Sequence, residues 1–336
     1  MAFFLDPEPS LPMRAILSAA VFSTVAALAA PGAAHAQSYP SKPLRWVVGY
    51  AAGGGSDVLA RTVAAQLSQQ LGQQVVVENR PGGAQVIAAE QVARAPADGY
   101  TLLTGDNGTL VFNTALFKKL PYEPQKDFAP VGLMARFPLV LAANPSAGWN
   151  SAKDLVEAAR KSPGTINYAS AGNGSPHHLA MEMLKERAKL DMAHIAYKGA
   201  APAIQDVVGG QVPLMVVDTA TGTPLLKAGK LKPLAVFSRT RLPTMPEVPT
   251  LIELGLTDIE AFAWQGMVVP AATPADVTAR LSAELQKAIA APDVQRKLRE
   301  IGVEPSPSDP ATMAKYLAEQ TRYWPKLIRD RQISLD

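Results

Sequence analysis

The chain has 336 residues, no cysteine, and a formal net charge of +3 from 32 basic and 29 acidic side chains. That length allows two domains, and the lack of cysteine excludes a thiol nucleophile, a thiolate metal site and a disulfide framework. The small positive excess is spread along the chain without a Lys/Arg run, so nucleic acid is not expected as a partner.

The first segment in chain order has the pattern of a secretory signal. Met13-Arg14 supplies a short positive n-region, Ala15 to Ala30 is an almost unbroken apolar run, and Pro31-Gly32 interrupts it. Ala34-His35-Ala36 then has the small-x-small form of a signal peptidase site, so cleavage is expected after Ala36 and residues 1–36 are assigned as signal peptide. The apolar run is shorter than the roughly 20 residues that span a bilayer, which disfavours the alternative of an uncleaved anchor. Residues 1–12 carry Asp6 and Glu8, which a signal peptide avoids, so Met13 is the expected start and 1–12 an artefactual extension. Loss of 1–36 removes Arg14, Asp6 and Glu8 and leaves the mature chain one unit more positive. An exported product follows.

Next comes RWVVGYAAGGGSDVLAR, Arg45 to Arg61. The apolar Trp46–Tyr50 reads as a strand, Gly49 to Gly55 as a small-residue loop, and Ser56–Leu71 as a helix with Val58, Leu59, Val63, Leu67 and Leu71 on one face. The first turn of a helix carries unpaired N–H groups and a partial positive charge, and glycines let a ligand approach the backbone. The loop is therefore either an anion site or a plain β–α turn. Gln74–Glu78 and Tyr100–Thr104 read as strands, Gln85–Arg94 as a helix, and Asn79 to Gly83 and Pro96 to Gly99 as turns. Such alternation predicts βαβ units with a mainly parallel sheet, whose ligands sit beyond the carboxyl ends of the strands. Gly49–Gly55 and Gly105-Asp106-Asn107-Gly108 both fall at such ends.

A second unit begins after Phe137. Pro138–Ala143 is an apolar strand, and Ser151 and Asp154 have capping-box spacing ahead of a helix to Lys161. Asn167–Ala169 is a short strand, followed by Ser170-Ala171-Gly172-Asn173-Gly174-Ser175-Pro176-His177-His178 and a helical run Leu179–Ala188. That is the opening pattern again, with free N–H groups expected at the helix start. Ile195–Tyr197, Leu214–Asp218 and Leu234–Phe237 read as strands, and Pro202–Gly209 as a helix. In the last third, Thr273 is the expected N-cap of a helix bearing Val277, Leu281, Leu285 and Ile289. Pro292–Ile301 is a second helix with Gly302 at its C′ position, and Pro310–Arg329 a third, kinked at Pro325.

Catalytic signatures are sparse. There is no G-x-S-x-G elbow, no G-x-x-x-x-G-K-[ST] phosphate loop and no dinucleotide fingerprint. His177 and His178 are adjacent, so they cannot face one metal from a helix as an i, i+4 pair can, and no metal or cofactor is expected. His178 is expected to cap or line its loop. Asp57 reads as a first-turn carboxylate facing the helix dipole rather than a catalyst. Lys198 is either a ligand cation or a solvated loop residue, and Asp218, ending a buried strand, needs backbone N–H groups or a ligand donor as partner. A hydrolase or transferase reading requires Ser56 or Ser175 within hydrogen-bond reach of His178.

The segments YPSKPLRWVVGYAAGGGSDVLAR, GQQVVVENRPGG, ADGYTLL, LPYEPQKDFAPV, NYASAGNGSPHHLAMEML, AYKGAAPAIQDVVGGQVPLM, LKAGKLKPLAV and MPEVPTLIELGL together carry a resemblance. Over nearly all of the chain after Ala36, it resembles the exported solute receptors of tripartite tricarboxylate transporters, the Bug family. The resemblance implies an α/β two-lobed periplasmic-binding-protein (Venus flytrap) fold, each lobe a mainly parallel sheet flanked by helices. One lobe would hold 39–136 and 264–336, the other 137–263. It implies a monomeric, non-enzymatic receptor for a small organic anion, a carboxylate or related solute, delivered to inner-membrane permease subunits. A sensor subunit for a two-component system is the alternative. Carried over by position, the ligand-binding residues would be Tyr50, Ala51, Gly54, Gly55 and Asp57, with Asp106 and Asn107, in one lobe. Ser170, Gly172, Gly174, Ser175, Asp218 and Thr219 would serve in the other. The family often begins its first loop P-F-x-P-G-G, whereas Gly49-Tyr50-Ala51-Ala52 stands here. The Tyr50 hydroxyl is expected either on a ligand polar group or in solvent. Ala169-Ser170-Ala171 stands where Ser-Ser is common, which removes a hydroxyl.

Overall fold

A strand–turn–helix unit opens the fold in the computed structural model, which describes residues 1–4 and 39–336. The n-region, apolar run and cleavage site of the expected signal peptide lie outside these residues. Met1–Ser41 and Lys42–Asp336 are separate compact units, and the elements below belong to the second.

Strand β1 (Leu44–Val48) is buried on both faces, as a central parallel strand must be. Helix α1 (Gly55–Leu71) buries Leu59, Val63, Leu67 and Leu71. Each such fully buried side chain contributes about 1.5–3 kcal/mol. Val58, expected on that face, is 37% exposed, because it lies about 100° round the helix from Leu59. Gly72, in the left-handed region, ends the helix, and β2 (Val75–Asn79) returns parallel to β1. After α2 (Val86–Ala93), β3 (Thr101–Asp106) pairs parallel to the other side of β1.

From there the chain departs from simple alternation. A π-helical turn, Gly108–Phe112, and a helical turn, Asn113–Leu116, follow β3 almost at once. Strand β4 runs from Phe128 to Ala143, far longer than the expected Pro138–Ala143. Pro130 and Pro138 obscure it in the sequence, and the register against its partner shifts between Pro130 and Gly132. The remaining elements are α3 (Ala152–Lys161), β5 (Asn167–Ser170), α4 (Pro176–Ala188), β6 (Ala193–Ala196), α5 (Ala200–Val208), β7 (Leu214–Asp218), α6 (Thr219–Lys227) and β8 (Lys232–Val236). Then come β9 (Phe262–Pro270), α7 (Ala275–Ala290), α8 (Pro292–Glu300), β10 (Glu304–Pro305) and α9 (Pro310–Asp330).

The strand order is β2-β1-β3-β9-β4-β7-β5-β6, with β8 and β10 also paired to β4. Phe128–Pro138 of β4 pairs antiparallel with β9, whereas Leu139–Ala143 pairs antiparallel with β7 and, over Val140–Ala143, with β8. One strand thus serves two sheet halves. The sheet is parallel at its outer strands (β1 with β2 and β3, β5 with β6 and β7) and antiparallel around β4 and β9. The mainly parallel expectation therefore holds only for the flanks, because β9 returns from a distant part of the chain without a crossover helix.

Helix ends follow local chemistry. The Ser151/Asp154 capping box forms as expected. Thr273 does not cap α7: its hydroxyl donates to the Pro270 carbonyl at 2.7 Å, and the N-cap is Pro274. Gly302, at φ +72°, lies just beyond α8, and α9 continues through Pro325. No helix among the described residues is long and apolar enough to cross a membrane.

Candidate functional site

The Gly49–Asp57 loop leaves β1 at its carboxyl end, and Ala51, Gly53 and Gly54 are exposed. Gly54 is the N-cap of α1 and offers no side chain to the helix, so no N-cap side chain takes up its first-turn N–H groups. Asp57 turns the other way. It is buried, and its carboxylate accepts from Gly53 N at 2.9 Å, Asn79 Nδ2 at 2.9 Å and Arg61 Nε at 3.0 Å. Burial pushes its pKa up, but these bonds and the Arg61 charge outweigh it and hold the carboxyl below the usual range. Asp57 shapes the loop.

Tyr50 takes neither expected path. Its hydroxyl donates to Asp106 Oδ2, and burial first, then the Asp106 charge, pushes the phenol well up. Asp106, the last residue of β3, also accepts from Thr109 N at 2.8 Å and Thr109 Oγ1 at 2.9 Å. Burial raises its carboxyl against these bonds. Asn107 spends both ends of its amide on β9: Nδ2 donates to Phe262 O at 3.1 Å and Oδ1 accepts from Trp264 N at 2.8 Å. Ser56 Oγ is held by Gln265 Nε2. These residues lock β1, β3 and β9 together behind the loop.

The Ser170–Ser175 loop is built differently. Ser170, at the end of β5, is fully buried, with Oγ 2.6 Å from His194 Nε2 and 3.1 Å from Gly172 N. Gly174 N donates to His178 Nδ1 at 3.1 Å, and Ser175 Oγ caps α4 by accepting from His178 N at 3.3 Å. Of the N–H groups expected to be free at this helix start, those of Gly174 and His178 are therefore already engaged. The open start in this half is the next helix, α5, whose N-cap Gly199 supplies no side chain and donates its own N–H to Ala171 O at 3.1 Å. Lys198, beside it, is exposed.

Behind this loop lies a buried polar stack. The rings of His178 and His194 lie 3.8 Å apart and 9° from parallel, with Tyr168 stacked at 5.0 Å from His194. Tyr168 donates to Glu182 Oε1 at 2.7 Å, and Lys185 and Arg331 also pair with Glu182. Burial, with the His194 and Lys185 charges, lowers His178 to about 3, and burial lowers His194 to about 4. Both rings are held neutral.

At the end of β7, Asp218 caps α6 by accepting from Thr221 N at 2.9 Å and Thr221 Oγ1 at 2.8 Å, and its Oδ2 lies 3.2 Å from His177 Nε2. Thr219 Oγ1 donates to the Gly302 carbonyl.

Close glycine contacts also join the halves of the sheet. A Cβ at Gly55 would meet Phe137 Cε1 at 3.4 Å and Ala220 Cβ at 3.8 Å, so the start of α1 faces the start of α6. Gly174, at φ +70°, packs where a Cβ would lie 2.5 Å from Leu116 Cδ1, which seats the second loop on the turn after Asp106-Asn107. Of the sequence candidates, Ala51 and Gly54 present open backbone, and Gly55 is half-buried against Phe137 and Ala220. Tyr50, Asp57, Asp106, Asn107, Ser170, Ser175, Asp218 and Thr219 have their side chains engaged within the protein. His177 and Ala220 were not foreseen, since only the meeting of α4 with β7 and of α1 with α6 gives them a place. The serine–histidine geometry of a hydrolase is not formed: the His178 ring bonds to Gly174, and Ser170, which does meet a histidine, is sealed from solvent. No cluster of metal-ligating side chains occurs among the described residues.

Two sheet halves sharing a long strand, with helix starts facing each other between them, define a two-lobed solute-binding protein. Residues 59–333 match the sequence profile of the tripartite tricarboxylate transporter family receptor, and the chain belongs to that family of solute-binding receptors. Three solved structures agree. The R. palustris protein solved with adipate is 34% identical, with a TM-score of 0.80 over 88% of this chain and 100% of that one. The periplasmic binding protein BugD is 36% identical, with a TM-score of 0.77 over 88% and 99%. MatC from Rhodopseudomonas palustris, solved with malate, is 32% identical, with a TM-score of 0.76 over 86% and 100%.

Proposed function

We propose that this protein is a periplasmic receptor that closes on a small organic carboxylate and delivers it to the permease of a tripartite tricarboxylate transporter. The observation that carries this reading is the uncapped start of α1 at Gly54-Gly55, opening toward Ala220 on the first turn of α6. An uncapped helix start offers a positive, backbone-lined recess for an anion. The adipate and malate held by the two R. palustris relatives give the class of ligand.

In this reading, residues 39–136 with 264–336 form one lobe and 137–263 the other, and closure brings the Gly49–Asp57 loop against the Ser170–Ser175 and Asp218-Thr219 segments. Ala51, Gly54 and Gly55 contact the ligand through backbone N–H groups. Tyr50, Asp57, Asp106, Asn107, Ser170, Gly172, Gly174, Ser175 and Thr219 hold those segments in shape. The ligand is bound by a monomer, and the leader that exports it is removed after Ala36.

A thermal-shift screen with adipate, malate, succinate, benzoate, amino acids and simple amides tests the proposal. A ligand at a hundred times its Kd stabilises by about 2.7 kcal/mol, which raises the melting temperature of a chain this size by about 4 °C. Folded protein that responds to no carboxylate overturns it.

A further inference from the structure

Arginine is a permanent cation that can only donate hydrogen bonds, so one drawn into a fold calls for an acceptor. Arg136, near the middle of β4, has none within the protein. Among the described residues its guanidinium makes no ion pair, and its Nε is buried without a hydrogen-bond partner. It lies instead over two rings, Phe262 at 5.2 Å and Tyr316 at 5.6 Å. Those rings attract the cation but supply no negative charge to balance it.

Arg136 lines a cavity of about 50 Å3, together with Glu260, Ala261, Phe262, Tyr316 and Gln320. The carboxylate among them, Glu260, is taken by Arg239 Nε at 2.7 Å, and Glu319 on α9 is exposed. The orientation of Gln320 follows from its neighbour. Trp324 Nε1 can only donate, so the Gln320 oxygen accepts from it at 2.8 Å and the amide NH2 remains as a donor. The excess of donors continues into the sheet. Trp264 pairs with Arg136 across β4 and β9, which puts both side chains on one face, and its ring meets Tyr316 edge-on at 5.4 Å. Its indole N–H is likewise buried without an acceptor. Native proteins seldom bury unmatched donors, and here they gather around an uncompensated cation.

The place in the fold matters as well. Phe262 pairs with Pro138, and from Leu139 onward β4 pairs with β7 instead of β9. The cavity therefore lies where the long strand passes from one sheet half to the other, against α9, which brings Tyr316 and Gln320.

We propose that this cavity is a binding site for a small monovalent anion, a halide or a carboxylate of formate size, held by the Arg136 guanidinium with the Gln320 amide as second donor. A bond from a guanidinium to an anion is charge-assisted and among the stronger ones a protein makes. The cavity has room for about one or two waters, which admits such an ion and excludes adipate or malate. It is thus separate from the solute recess. A bound ion ties α9 to the crossing strands and stabilises the protein with no solute present.

Thermal unfolding of the solute-free protein tests this, in sodium gluconate and then with gluconate replaced by chloride, bromide or formate at constant ionic strength. An anion at ten times its Kd raises the melting temperature by about 2 °C, whereas gluconate is too large to enter. A response to the halides alone assigns a halide site and a response to formate alone a carboxylate site; either supports the inference. Arg136→Gln removes the cation. Gln320→Glu keeps an oxygen for Trp324 Nε1 but sets a negative charge at the cavity. Each variant should lose the anion-dependent rise, whatever its melting temperature in gluconate, and Gln320→Glu decides the matter if Arg136→Gln does not fold. Crystals grown in bromide should show an anomalous peak beside Arg136. Equal melting of the wild type in all four salts, or a rise that persists in Gln320→Glu or in folded Arg136→Gln, overturns the inference. Neither result touches the receptor reading, since no solute of the cleft is used.

Discussion

The Gly49–Asp57 and Ser170–Ser175 loops have the same plan in sequence, yet they are finished in opposite ways. In the first, the acidic side chain that follows the glycines is drawn back by Arg61 and Asn79, and the helix start is left bare. In the second, Ser175 caps the helix, His178 takes the Gly174 N–H, and Ser170 takes the Gly172 N–H. The first loop offers backbone and the second is closed on itself. The helix start left without a side-chain cap in that half is the neighbouring one, α5. Small residues before a helix show that N–H groups are present; which of them remain free depends on side chains that arrive from elsewhere.

The sharpest way to break the contrast is Gly174→Val against Gly53→Ala. Both glycines have positive φ, but Gly174 abuts Leu116 whereas nothing lies within 4 Å of a Cβ at Gly53. Gly174→Val should cost about 2–5 kcal/mol from backbone strain and overpacking, and Gly53→Ala about 1 kcal/mol, in urea unfolding. Equal losses would mean that the second loop is not seated as described.

Asp57→Ala should cost about 2 kcal/mol by the same measurement, through lost hydrogen bonds and the lost dipole interaction. Because the folded pKa of Asp57 is lowered, its contribution is complete above about pH 4 and vanishes as pH falls through the folded value. The gap between wild type and variant should therefore close in acid.

The second loop should show a different pH signature. His178 and His194 are held near 3 and 4, below the roughly 6.5 of an unfolded histidine, so the unfolded chain takes up protons first. Stability is then full above pH 6.5 and falls as pH drops from there toward 4. His194→Gln should flatten that part of the stability profile, whereas Asp57→Ala should leave its slope unchanged.

The smallest effect is expected at Tyr50. Tyr50→Phe removes one bond to Asp106 but leaves both Thr109 bonds, for a loss of about 1 kcal/mol in thermal or urea unfolding. Carboxylate affinity should change less than threefold, since the hydroxyl is turned into the protein. A larger change would put Tyr50 on the ligand.

The sequence by itself determined what short-range patterns control. The three-and-four spacing of Leu59, Val63, Leu67 and Leu71 made one helix face, the Ser151/Asp154 pair made a capping box, and Gly302 ended α8, because each acts within a few residues of itself. The ordered motifs fixed the family in the same way. Tertiary structure decided the rest. The full length of β4 was hidden by Pro130 and Pro138 until β9 supplied a partner from more than a hundred residues away. The direction of the Tyr50 hydroxyl, the capture of Asn107 by β9, and the bond from His177 to Asp218 all depend on contacts between distant elements. A hydrogen-bonding side chain has many possible partners in sequence, and only packing chooses one and leaves another, such as His177 Nδ1, without any.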